Sequence, residues 1–120
     1  MARIVVVDDE PAARTAISRI LEKEGHEVQQ YEDGRPALDD VDYSKVDLAI
    51  VDLQMPTSGY DVIEEIRARG FDKLPIIVAS ANVDLVLTPE VLGVQEIIEK
   101  PFQIADFSDA VKKLLEETDQ

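Results

Sequence analysis

The chain has 120 residues, 45% of them hydrophobic, which is enough for one compact domain with a single core. It contains no cysteine, which excludes disulfides and thiolate metal sites. Its 26 acidic and 12 basic residues give a net charge of −14, which opposes direct binding to nucleic acid or to an anionic membrane. The first apolar run is too short for a signal peptide or a membrane span, so we expect a cytoplasmic protein.

Apolar runs and amphipathic segments alternate along the chain. Short apolar runs rich in β-branched residues predict strands at 3–7, 48–51, 76–79 and 97–98. The segment "HEVQQY" (26–31) predicts a further, less buried strand. Apolar stripes predict helices from Pro11 to a stop at Gly25, at 33–41, at 59–70 and from Ile104 onwards. With a short helix before the last strand, this alternation predicts an α/β three-layer sandwich, a parallel sheet flanked by five helices. We expect a single domain over residues 1–120, without an output domain in this chain.

Polar or charged residues stand where four of the predicted strands end. Asp8 and Asp9 follow the first strand, and the other three positions are Asp52, Ser80 and Lys100. In a parallel α/β sheet the carboxyl ends of the strands meet at one edge, which is where ligands bind. Four such strand ends predict a common site.

The chemistry of these residue types indicates phosphoryl transfer. Two carboxylates about 4 Å apart repel each other by roughly 4 kcal/mol at an effective dielectric constant near 20, so a cluster of three implies a cation. Oxygen ligands and few carboxylates favour Mg²⁺, which keeps several waters and leaves positions for phosphate oxygens. Lys100 and Ser80 suit a phosphoryl group, and one carboxylate is then a candidate nucleophile.

Four motifs in this order, "VVVDDE", "VDLQMP", "IIVASA" and "EKPF", resemble the receiver domain of two-component response regulators over essentially the whole chain. The resemblance implies a CheY-like, flavodoxin-like sheet of strand order 2-1-3-4-5. It also implies that Asp52 accepts a phosphoryl group from a histidine kinase or phosphotransfer protein.

The same resemblance implies the other roles at the site. Mg²⁺ would be bound directly by Asp9 and Asp52, through water by Asp8, and by the backbone carbonyl of Gln54. Ser80 and Lys100 would contact the phosphoryl group, and the Lys100–Pro101 peptide bond would be cis. The chain would signal by contact with a downstream protein, as a monomer or weak dimer. It would catalyse only its own phosphoryl transfer and autodephosphorylation, so we do not predict a classical enzyme.

Three features depart from the usual receiver pattern. The loop "MPTSG" is one residue short, which predicts a different backbone path and different partner contacts beside the phosphorylation site. Ile97 stands where an aromatic residue is usual, which indicates either a strand residue that simply packs well or a different or weakened conformational readout. The segment 81–95 is about two residues short and contains Pro89, which predicts a short helix beginning near Thr88 after a loop. This shortened segment argues against the common mode of dimerisation.

Four further side chains carry smaller predictions. Gln54 and Asn82 would orient water for a short-lived phosphorylated state. His26 and Tyr31 are predicted to be surface residues without partners.

Two other functions stay open. The first is a pseudo-receiver that signals without phosphorylation, which Ile97 and the reshaped loops suggest and the intact acidic residues oppose. The second is a Mg²⁺-dependent phosphatase of the haloacid dehalogenase type. It has less support, because such enzymes carry D-x-D after the first strand, whereas this chain has "DDE".

Overall fold

The computed structural model describes residues 2–81 and 88–118. Five strands form one parallel sheet in the order β2-β1-β3-β4-β5, which confirms the predicted fold. The strands are β1 (Arg3–Val7), β2 (Glu27–Tyr31), β3 (Leu48–Val51), β4 (Ile76–Ser80) and β5 (Glu96–Glu99). The helices are α1 (Pro11–Lys23), α2 (Gly34–Asp40), α3 (Gly59–Ala68), α4 (Pro89–Leu92) and α5 (Ile104–Thr118), with a short 3-10 helix at Tyr43–Lys45.

The central strands are buried on both faces, which is why they read as unbroken apolar runs. Alternate residues of β1 point to opposite faces: Val5 and Val7 pack with α2 and α3, whereas Ile4 and Val6 pack with α1 and α5. The sheet therefore has two hydrophobic cores, one on each face. Among the described residues, no helix is long and apolar enough to cross a membrane.

The fourth helix is a single turn, as its proline predicts. Thr88 is its N-cap, and the Thr88 side chain accepts a hydrogen bond from the Val91 backbone N–H at 3.3 Å. Pro89 occupies the first turn, and Gly93 ends the helix at φ 72°. The loop predicted before this helix lies largely in 82–87, outside the described residues, and so does Asn82.

Two predictions about β2 are wrong because tertiary neighbours supply partners. His26 lies just before the strand, and its Nδ1 accepts a hydrogen bond from the Ala2 backbone N–H at 3.1 Å. The Tyr31 hydroxyl donates to Asp40 at 2.5 Å. Burial, and to a smaller extent this contact with Asp40, raises the pKa of Tyr31 to about 12. Both contacts tie β2 to neighbouring parts of the chain.

Candidate functional site: an acidic cluster at the carboxyl edge of the sheet

Three aspartates meet where β1 and β3 end. One carboxylate oxygen from each of Asp8, Asp9 and Asp52 lies within 4.8 Å of the others. Asp8 and Asp52 are only 2% and 6% exposed, whereas Asp9 is exposed to solvent. The sheet register brings them together, because the Asp52 backbone N–H continues the ladder by donating to the Val7 carbonyl at 2.9 Å.

Lys100 supplies the positive charge that faces this cluster. Its Nζ lies 2.5 Å from Asp8 Oδ2 and 3.5 Å from Asp52 Oδ2. The lysine follows β5 directly, and the Lys100–Pro101 peptide bond is cis, as predicted. One ammonium group therefore serves two buried carboxylates.

The buried charges shift each other's titration. Burial raises the pKa of Asp8, although hydrogen bonds from Lys100 and from the Glu10 backbone oppose the shift. Burial by itself would lower the pKa of Lys100, but the contacts with Asp8 and the charge of Asp52 outweigh it and raise that pKa. Lys100 is thus held in its charged form, while a further positive charge beside Asp8 would favour the carboxylate.

Ser80 lies at the end of β4 and is fully buried. Its backbone carbonyl accepts a hydrogen bond from the Lys100 N–H at 2.9 Å, which places the two residues side by side. Its hydroxyl Oγ has no hydrogen-bond partner among the described residues. A buried hydroxyl without a partner costs free energy, so a group that hydrogen-bonds to Ser80 Oγ at this place would be stabilised.

The loop after Asp52 approaches the strand end closely. The Gln54 backbone N–H donates to Asp52 Oδ1 at 3.1 Å, and the role predicted for the Gln54 carbonyl stays a prediction. A Cβ added at Gly59 would lie 2.1 Å from the Asp52 backbone oxygen, so only glycine fits at this point. Ser58 caps α3 by accepting from the Tyr60 N–H at 3.2 Å.

Two contacts near the cluster have no signal in the sequence. The Arg14 guanidinium donates to the Asp8 backbone carbonyl at 2.8 Å, which fixes the turn between β1 and α1. The Asp33 carboxylate accepts two hydrogen bonds from Thr57. Although Asp33 stands at the N-cap position of α2, its side chain makes no capping hydrogen bond to that helix. The local sequence pattern predicts neither pairing, because the partners come close to each other only in the folded chain.

Ile97 lies in the middle of β5 and is half-buried. It packs against the hydrophobic core on the face that carries α2 and α3. This placement accounts for an apolar residue at the position as a matter of packing.

The donor set of the cluster fits magnesium. Its three carboxylates supply only hard oxygen ligands, and the exposure of Asp9 leaves a route for the hydrated ion. No cysteine or histidine belongs to the cluster, so the softer metals have no preferred ligand there. The residues present therefore suit a metal that keeps part of its water shell.

The chain belongs to the response regulator receiver domain family, whose model matches residues 4–112. Receiver domains are signalling modules of two-component systems that interact with histidine kinases and phosphotransfer proteins, and they are not classical enzymes.

Similar proteins differ in how much of their length the chain covers. It is 34% identical over 119 residues to response regulator MprA of Mycolicibacterium vanbaalenii and spans about half (51%) of that protein. It is 33% identical over 117 residues to sporulation initiation phosphotransferase F of Bacillus subtilis, covering 94% of this chain and 93% of that one. The structure of response regulator TrrA of Thermotoga maritima, in complex with Mg²⁺ and BeF, is similar with a TM-score of 0.84 and 36% identity. This match covers 95% of this chain and 99% of TrrA.

Proposed function

We propose that the protein is a phosphorylation-dependent signalling switch in which Asp52 accepts the phosphoryl group. The observation that carries the proposal is the arrangement around Asp52. Its buried carboxylate lies beside two further aspartates and 3.5 Å from Lys100, next to the strand whose end carries the unpaired hydroxyl of Ser80. A phosphoryl group on Asp52 would give both cationic and hydroxyl donors a partner.

The transfer needs one bond to form and one to break. A carboxylate oxygen of Asp52 attacks the phosphorus of the donor, and the bond from phosphorus to the donor's histidine nitrogen breaks, giving an acyl phosphate. Lys100 would bind the charge on the phosphoryl oxygens, and Ser80 would donate a hydrogen bond to one of them. Both groups would hold the phosphorylated form in one conformation.

Magnesium would be bound directly by Asp9, Asp52 and the Gln54 carbonyl, and through water by Asp8. When bound, it would neutralise the negative charge that the donor brings to the cluster. TrrA, solved with Mg²⁺ and BeF, supports this part of the proposal by similarity. Burial raises the pKa of Asp8, so the charge of a metal nearby would favour its ionised form.

The phosphoryl donor would be a histidine kinase or a phosphotransfer protein, and the output would be contact with a downstream protein. Phosphorylation adds a charge of about −1.5 to −2, which would shift the balance between two conformations of the loop that follows β3. The polar side chain of Gln54 would orient water for autodephosphorylation, so the phosphorylated state would be short-lived. The proposal includes a cytoplasmic location, which the family's part in two-component signalling supports.

Intact mass spectrometry tests the proposal. The chain is incubated with Mg²⁺ and acetyl phosphate for a series of short times, in parallel with Asp52→Asn and with Asp109→Asn, an exposed aspartate of α5. We expect one added phosphoryl group in the wild type and in Asp109→Asn, and none in Asp52→Asn.

The contrary result has a definite meaning. No adduct at any time, or equal labelling of Asp52→Asn, would contradict the assignment of Asp52. The first of these results would favour the pseudo-receiver, for which the single-turn α4 and the packed Ile97 are the structural support.

A further inference from the structure

Asp33 and Thr57 join two loops at the carboxyl edge of the sheet. The Asp33 Oδ1 accepts from the Thr57 backbone N–H at 2.7 Å, and Oδ2 accepts from the Thr57 hydroxyl at 2.8 Å. Asp33 stands between β2 and α2, and Thr57 stands between β3 and α3. The two residues are 24 positions apart, so the contact fixes one loop against another and not a local turn.

The loop that Thr57 belongs to runs from the phosphoacceptor to α3. Its first part carries Gln54, whose N–H donates to Asp52 Oδ1, and its end is held by the Ser58 cap. The loop is one residue shorter than is usual in receivers, and Thr57 lies in the shortened part. Asp33 therefore holds the backbone that borders the site, at a point between the end of β3 and the start of α3.

Tight packing surrounds the same contact. A Cβ added at Gly34 would lie 2.3 Å from Val62 Cγ2 and 3.1 Å from Thr57 Cγ2. The start of α2 thus lies directly against the loop and α3, so a shift of Thr57 has little free space on this side. Burial by itself would raise the pKa of Asp33, but the hydrogen bonds from Thr57, with the nearby backbone N–H groups of Gly34 and Arg35, outweigh it and lower that pKa.

We propose that Asp33 is a positioning residue for the phosphorylation site and acts through Thr57 to hold the loop that presents Gln54 to the metal and to Asp52. The inference rests on the proposed function. Asp33 touches neither the metal nor the phosphoryl group. Its effect is to pre-set the backbone, so that Mg²⁺ and the phosphodonor meet a loop already in place.

The chain offers a matched control for this contact. Asp42 accepts from the Ser44 backbone N–H at 3.1 Å and from the Ser44 hydroxyl at 2.6 Å, both at Oδ1, so it bonds to the same two kinds of donor as Asp33. The contact is local, spanning two positions, and lies before β3 at the opposite edge of the sheet. Asp42→Ala therefore removes two hydrogen bonds of the same kinds at the edge of the sheet opposite the site.

The experiment compares Asp33→Ala with Asp42→Ala in three measurements: the Mg²⁺ dissociation constant by calorimetry, the rate of labelling by acetyl phosphate, and the melting temperature. We expect Asp33→Ala to weaken Mg²⁺ binding about tenfold and to slow labelling by a similar factor, as loss of an outer contact does at metal sites. Asp42→Ala should keep wild-type values for both. Thr57→Ser keeps both hydrogen-bond donors and should keep wild-type values. Thr57→Val keeps only the backbone N–H donor, so its values should lie between those of the wild type and those of Asp33→Ala.

Unchanged Mg²⁺ affinity and labelling in Asp33→Ala would overturn the inference, as would an equal loss in Asp42→Ala. If Asp33→Ala does not fold, Asp33→Asn, which keeps one acceptor oxygen, goes through the same measurements with the same criterion. Failure of the wild type to label would contradict the proposed function, whereas the calorimetric comparison would still decide the role of Asp33 in metal binding.

Discussion

Tyr43 and Arg67 at the amino edge of the sheet differ from the acidic site at the carboxyl edge in their hydrogen-bond partners. At the amino edge, the Tyr43 hydroxyl donates to the Ala37 carbonyl at 3.0 Å. There, too, the Arg67 guanidinium donates to the carbonyls of Phe71, Leu74 and Gly93 at 2.6 to 3.1 Å. At the carboxyl edge, the carboxylates of Asp8 and Asp52 share one ammonium group, and Ser80 Oγ has no partner among the described residues.

This difference separates stability from function. Paired buried groups rigidify a fold, whereas unpaired ones cost free energy until something binds to them. The amino edge should therefore govern the free energy of unfolding, and the carboxyl edge should govern Mg²⁺ binding and phosphorylation. Substitutions at each edge test whether the two properties separate in this way.

Arg67→Met should give the largest loss of stability. It removes bonds from a half-buried cation to three carbonyls, and we expect the free energy of unfolding to fall by about 3 kcal/mol. Arg69→Met is the control, since Arg69 donates to one carbonyl, that of Leu38, and pairs with Glu65; it should cost about 1 kcal/mol. Urea unfolding measures both. Loss of phosphoryl labelling in folded Arg67→Met would break the separation of the edges.

Tyr43 should make the protein sensitive to high pH. Burial raises the pKa of Tyr43 from 10.0 to about 12, so the fold favours the protonated phenol. The resulting stabilisation is fully present below pH 10 and is lost as the pH rises through 12, by about 2–3 kcal/mol. Tyr43→Phe should lose less stability than the wild type across this window.

Tyr31→Phe serves as the control for this pH series. Tyr31 has its pKa raised to about 12 as well, but its contact with Asp40 is exposed, so its removal should change the profile less. The remaining titratable groups are the same in every variant, so only the differences between variants are compared. Identical slopes for Tyr43→Phe and the wild type would contradict this account of Tyr43.

Gly59→Ala should change both properties. The added Cβ would lie 2.1 Å from the Asp52 backbone oxygen, so backbone must move, at a cost of about 1–3 kcal/mol in unfolding free energy. Because the displaced atom belongs to Asp52, labelling should slow. Gly70→Ala, at φ +98° with nothing near its Cβ, should cost about 1 kcal/mol and leave labelling at the wild-type rate. Normal labelling by Gly59→Ala would show that the close approach has no functional role.

Magnesium should give the smallest change in stability. At a concentration ten times the dissociation constant, binding to the folded state adds about 1.4 kcal/mol and raises the melting temperature. Asp9→Asn should remove this rise while keeping the fold, because Asp9 is exposed. Asp109→Asn, on α5, should keep it. A rise of the same size in Asp9→Asn would exclude Asp9 as a ligand.

The sequence predicts the strands and the meeting of Asp8, Asp52, Ser80 and Lys100 well, because both follow from chain order. Parallel strands bring their carboxyl ends to one edge, so residues far apart in sequence meet there without any knowledge of side-chain conformation. The single turn of α4 was predictable for a local reason, since Pro89 and Thr88 define a helix start.

The side-chain partners of the loops were not predictable. Asp33 could have capped α2, as its position before the helix suggests, but the fold brings Thr57 within 2.7 Å of its carboxylate. Tyr31 and His26 were expected to lack partners for the same reason: Asp40 and the Ala2 N–H reach them only in the folded chain. Choice among competing polar partners depends on distances that local pattern does not contain.

A structure of the protein crystallised with Mg²⁺ and beryllium fluoride, which mimics a phosphoryl group on Asp52, tests the central claim most directly. The account predicts that Ser80 Oγ and Lys100 Nζ both lie about 3 Å from the fluorides, with the metal bound by Asp9 and Asp52. Ser80 Oγ left without a partner while the fluoride group is bound, or no group on Asp52 at saturating concentration, would contradict it.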